Sequence, residues 1–140
     1  MSAGALLFLA DAILVLHVCF ALFVAGGLVA VWIGAWLGTA WVRGRAFRIA
    51  HLSATGVVAL ESLLGLVCPL TEWESGLREV AGSAGYAGSF VGHWLGRLLY
   101  YDFDERVFLA LYLGLLAAAA ATWRLVPPRQ KLPARPDEPR

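Results

Sequence analysis

Charge is scarce in this chain. Of its 140 residues, 15% are Asp, Glu, Lys or Arg and 60% are hydrophobic, with a mean hydropathy of +0.72. Soluble domains carry about a quarter charged residues, so this composition argues against a globule with a water-facing coat. Cysteine is scarce too. Cys19 and Cys68 each lie in an apolar segment, with no CxxC and no Cys/His zinc spacing. That argues against a disulfide framework or a zinc knuckle, and both read as small apolar packing residues. The signatures GxSxG, P-loop, GxGxxG and HExxH are missing, and with them the commonest hydrolase, nucleotide-binding and metalloprotease readings. Met1 to Ala10 holds no Lys or Arg, so no cleavable signal is expected, although Ala10-Asp11-Ala12 imitates a cleavage site.

What is present is a set of long apolar blocks in a chain sized for one domain. Ala5 to Trp36 is broken only by Asp11, His17 and small residues. As a helix it would run about 48 Å, more than the ~30 Å hydrocarbon core, so it should tilt or project. Its Gly26, Gly27 and Gly34 suit close helix contact in lipid. Ala46 to Val67 reads as a second span, closed by Pro69. Thr71 followed by Glu74 matches a capping box and predicts a surface helix over 71–85. The apolar, aromatic stretch 89–101 is too short to cross, which predicts an interfacial or re-entrant helix. Asp104 is a candidate cap for a third span over 107–126, ended by Pro127-Pro128.

The sequence therefore predicts an all-α integral membrane protein. Its three transmembrane helices lie over about 5–36, 46–67 and 107–126, and a short interfacial or re-entrant helical segment forms part of an outer region, 69–106. Residues 1–126 form a single membrane domain, and 127–140 a disordered basic tail. The Gly38–Arg48 loop and the tail from Arg124 hold eight Lys/Arg, while Pro69–Arg106 holds three Arg and six acids. The positive-inside rule then sets the N-terminus outside and the C-terminus in the cytoplasm. The basic tail lacks interleaved aromatics, which favours anionic lipid over nucleic acid as its partner.

Ionisable groups inside spans are costly and single themselves out. If the first two helices form a tight hairpin, positions summing to about 83 are level. Asp11 then lies near Thr71, His17 near Leu66 and Glu61 near Leu22, all in the outer half. His51 falls near Trp32, about 20 Å from His17, as an interfacial residue. Glu61 and Cys68 are seven apart, hence on one helical face with Gly65 giving room. A cluster of His17, Glu61 and Cys68, lidded by Glu74, Arg78 and His93, could serve acid/base chemistry or a metal. The alternative is that Glu61 pairs with His17 or a hydroxyl and sets helix register. Arg78 is expected to pair with Glu74 at the surface, and Asp11 to reach the headgroups.

The run LADAILVLHVCFALFVAGG, then CPLTEWESGLREVAG, then GYAGSFVGHW resembles the small bacterial membrane proteins grouped as domain of unknown function 2784. The resemblance covers roughly residues 8 to 120. This chain has His93-Trp94 and Tyr100-Tyr101 where the family usually has His-Tyr and Tyr-Pro. The resemblance implies an integral protein of the bacterial cytoplasmic membrane and supplies no activity.

The functional expectation is a non-enzymatic subunit, scaffold or stability factor, pairing through glycine-lined helices with a membrane protein or a second copy. The alternative is a ligand- or cofactor-binding protein, or a membrane enzyme, with its site at the outer interface. The candidate polar cluster comprises Asp11, His17, Glu61, Cys68, Thr71, Glu74, Arg78 and His93. No cofactor is expected under the first reading; haem or a metal belongs to the second.

Overall fold

The computed structural model describes residues 1–86, 88–99 and 104–128. Among these, five α-helices and one 3₁₀ turn occur, with no strand. They are α1 (Ala3–Trp36), α2 (Arg45–Leu63), α3 (Pro69–Val80), α4 (Phe90–Leu99) and α5 (Glu105–Leu125), with the 3₁₀ turn at Trp41–Arg43. Tyr100, Tyr101 and residues 129–140 of the expected tail lie outside the described residues.

Three helices stop in the same way. After α1, α2 and α3 a glycine adopts the left-handed conformation, Gly38 at φ 71°, Gly65 at φ 66° and Gly82 at φ 79°. The next amide then reaches back to the carbonyl five residues earlier: Thr39 to Gly34, Leu66 to Glu61, and Ser83 to Arg78. This is the Schellman closure, which satisfies carbonyls a helix end would otherwise orphan. It corrects the expected second span, which stops at Leu63 rather than Val67. Gly65 provides the exit from α2 and does not make room along its face.

The capping box is corrected as well. Pro69 occupies the first turn of α3, where its missing N–H costs nothing, so the helix begins two residues before Thr71. Thr71 lies inside α3, buried, its hydroxyl without a hydrogen-bond partner. Asp104 does cap α5, accepting from the Arg106 amide at 2.8 Å. The 13-residue outer segment contributes a ten-residue helix, α4, which at 1.5 Å per residue is about 15 Å long.

Two helices, α1 and α5, are long and apolar enough to cross a membrane, not three as expected. The most apolar window of each is only 17% buried, unlike the core helix of a soluble protein. The third expected span, α2, carries Arg48, His51, Thr55 and Glu61, which take it below that standard; the first three are buried.

α1 packs chiefly on α3, and α2 on α5. The buried stripe of α1 repeats every seven residues, Ala10, His17, Val24 and Val31, joined by Gly27 and Gly34. Between α1 and α2 the rings of Phe23, Phe47 and His51 interleave, with Phe23 5.9 Å from Phe47 and 5.6 Å from His51. The His51 Nε2–H donates to the Val24 carbonyl at 2.9 Å. So His51 is a buried inter-helix residue level with Val24, not an interfacial one near Trp32. The hairpin offset is smaller than the tight-loop estimate, and His17 and His51 are about 10 Å apart along α1 rather than 20 Å.

Arg48, expected as a loop charge, is 2% exposed; it donates to Thr122 Oγ1 at 2.9 Å and lies 5.7 Å from the Trp123 ring. A β-carbon on Gly27 would collide with the His51 ring, which its hydrogen bond and aromatic neighbours hold in place. Gly27→Ala should therefore cost about 1–3 kcal/mol in thermal unfolding, the range for overpacking. In a His51→Ala background most of that penalty should vanish, which a double-mutant cycle will read.

Candidate functional site

The end of the bundle that carries α3 is built on one carboxylate. Glu74 lies on the face of α3 that meets α1 and is 0% exposed. Burying an ionised carboxylate is expensive unless strong partners surround it. Two do. Arg78, one turn on, donates from Nε to Oε1 at 3.0 Å, and the Tyr86 hydroxyl donates to Oε2 at 2.6 Å. The same guanidinium donates from Nη2 to Asp11 on α1 at 2.9 Å, so Arg78 bridges two helices. Asp11, 63% exposed, closes the chain at the surface.

Tyr86 is held from both ends. Its amide donates to Ser75 Oγ at 2.9 Å, and the Ser75 hydroxyl donates to its carbonyl at 3.0 Å. The loop can approach this closely because residue 85 is glycine; a β-carbon there would strike Ser75 and Glu79. The His93 ring stacks on Tyr86 with centroids 4.1 Å apart. Burial, then the Glu74 carboxylate, push the Tyr86 phenol above its ordinary range. The bond to Glu74 holds Arg78 still more firmly in its charged form.

Below this network lies a cavity of about 550 Å³ between α1, α2, α4 and α5. Its walls include Leu22, Val58, Leu111 and Leu115, and its polar groups include His17, Glu61, Ser62, Cys68 and Tyr112, with Ser89, Glu105 and Arg106 also in the lining. His17 is 5% exposed and stacks on Phe90 at 4.0 Å, while its Nδ1 has no hydrogen-bond partner. Glu61 lies in the last turn of α2 and Cys68 beyond the Gly65 turn, so the two line one cavity from either side of that turn rather than along one face of α2.

The expected single cluster with a lid is thus two adjoining groups. Asp11, Glu74, Arg78 and His93 join through Tyr86 in the outer network; His17, Glu61 and Cys68 line the cavity. Thr71 joins neither. Arg78 and Glu74 do pair, but as part of a buried network and not as a surface pair. The residue missed from sequence is Tyr86, although it stands in the GYAGSFVGHW run, because no local pattern points a loop tyrosine at a helix carboxylate. Among the described residues no group of three or more His, Cys, Asp or Glu is arranged to hold a metal ion.

The comparison with protein families turns on the same stretches. A model described as Protein of Unknown function (DUF2784) matches residues 7–128. The chain belongs to that family. This DUF2784 match takes in the outer network and the cavity alike. No curated protein and no solved structure matches the chain.

Glu74→Gln should lower stability of this DUF2784 protein by about 1.5–3 kcal/mol, since it takes the charge out of two buried hydrogen bonds and leaves Arg78 with Asp11 alone as its ion-pair partner. Asp11→Asn, at an exposed position, should cost at most about 1 kcal/mol. Equal losses in thermal unfolding would contradict this ranking. Because the folded pKa of Tyr86 exceeds its unfolded value, its contribution is complete below about pH 10 and is lost as pH rises through the folded value. Stability should decline above about pH 10, and more gently in Tyr86→Phe.

Proposed function

We propose that this is an integral membrane protein that binds a hydrophobic ligand in its outer half. Three observations support the membrane reading. The apolar faces of α1 and α5 are uncovered and need lipid against them. Exposed Trp36 and Trp41 lie at one end and exposed Trp73 at the other, as aromatic belts would require. The polar groups that mark α2 as less apolar are largely turned inward, and its 19 residues extend about 28 Å, close to a hydrocarbon core. On this reading α2 crosses with α1 and α5, the N-terminus is outside, and the basic Gly38–Arg48 end faces the cytoplasm of a bacterial cell.

The observation that carries the function is the cavity. Its 550 Å³ falls within the range of small-molecule sites, and its combination of apolar walls with a few convergent polar groups is the usual one. The outer network would hold the roof: α3 is tied to α1 through Arg78 and to the loop before α4 through Tyr86.

A second reading, a subunit or scaffold that pairs with a membrane protein or its own copy, rests on other surfaces. An added β-carbon at Gly26 or Gly114 would meet nothing within 4 Å, so helix approach there is open.

Native mass spectrometry of protein extracted gently from its host separates the two. A stoichiometric lipid-like adduct on a single chain is expected. Val58→Trp, which fills the cavity, should remove that adduct while the detergent melting temperature changes by only a few degrees. Extra polypeptide mass without a small molecule would favour the scaffold.

A further inference from the structure

Resting on the ligand-site reading, we infer that the cavity takes a lipid with a single apolar chain and an uncharged hydroxyl head, the hydroxyl seated between Glu61 and His17. The cavity is polarised along its length. Glu61, Ser62, Cys68 and Ser89 lie toward the outer end, whereas Val24, Ala25, Val58 and Leu115 line its deeper part. An elongated amphipath therefore fits one way round, head outward and chain inward.

The mouth indicates where the ligand comes from. Leu22, Leu66 and Leu111 line the cavity and are themselves exposed. Exposed leucines around an opening suit entry from lipid and not from water.

Charge selects the head. An anionic head would face the Glu61 carboxylate in a half-buried site, and Glu105 at the rim. The one cation in the lining, Arg106, is exposed and adjacent to Glu105. Like charges in such surroundings repel strongly, which counts against a carboxylate or phosphate. An ammonium head would have to shed its water in a half-buried, mostly apolar site, a cost that a neutral head largely avoids.

A hydroxyl avoids both costs because it donates and accepts at once. It can donate to a Glu61 oxygen while the oxygen faces His17, whose Nδ1 lacks a partner although the ring is almost wholly buried. Buried polar atoms are rarely left unpaired, and of the three such side-chain atoms among the described residues this nitrogen is the one whose residue lines the cavity. Long-chain alcohols, prenols and monoacylglycerols share this chemistry.

The test uses the full chain in detergent with radiolabelled hexadecanol, and with hexadecanoate, hexadecylphosphate and hexadecylamine as competitors. Hexadecanol should bind saturably, and each charged competitor should be at least about tenfold weaker, roughly 1.4 kcal/mol. Glu61→Gln, checked for an unchanged melting profile, should narrow the preference for alcohol over carboxylate about tenfold. A carboxylate, phosphate or amine that competes as well as the alcohol overturns the inference, as does an unaltered preference in Glu61→Gln. Binding of no chain at all would instead remove the ligand-site reading beneath it. A prenol, a monoacylglycerol and hexadecanol compared at equal concentration then identify which hydroxyl lipid fits best.

Discussion

A carboxylate with no access to water sets the geometry of one end of the bundle. Arg78 and Tyr86 each give Glu74 a hydrogen bond, and each partner is committed elsewhere. Arg78 is shared with Asp11 on α1, and Tyr86 is latched by its backbone to Ser75. One desolvated charge thus recruits α1, α3 and the loop leading to α4. The deeper half depends on a different constraint, the girth of aromatic and imidazole rings between α1 and α2. Together they leave the bundle pinned at its roof and open below it, so a cavity survives between helices that would otherwise collapse together.

Polar side chains in this chain serve packing in one half and line a cavity in the other. Arg48, His51, Thr55 and Thr122 are buried around α2 and largely bonded to carbonyls or hydroxyls, fixing the rotation of α2 against α1 and α5. His17 has no such bond at Nδ1 and stands in the cavity wall. The two buried histidines differ in one respect: His51 Nε2 is bonded to a helix carbonyl, whereas His17 Nδ1 has no partner and its side chain lines the cavity.

Helix by helix, much was legible from local chemistry. Apolar blocks announced α1 and α5, Asp104 announced the start of α5, and the acid-rich 69–106 segment against the basic 38–48 loop and tail announced a polarity. Errors arose where two local signals competed. Pro69 outranked Thr71 as the start of α3, because a ring that fixes φ and lacks N–H is already shaped for the first turn. Gly65 outranked the apolar run to Val67, because a left-handed residue closes the helix whatever follows. Of the site, the Glu74–Arg78 pair at i,i+4 was readable, but its burial was not.

The sequence by itself determined that the protein is helical, where its apolar segments lie, and which end is acidic, since these follow from hydrogen bonding within a segment and from composition. Only the tertiary structure decided that Tyr86 serves Glu74, that Arg78 reaches Asp11, and that His17, Glu61 and Cys68 share a cavity. Those meetings depend on the rotation and offset of each helix against its neighbours. A turn that ends a few residues sooner rotates every following side chain by 100° per residue and moves it 1.5 Å along the axis, and no local pattern records that sum.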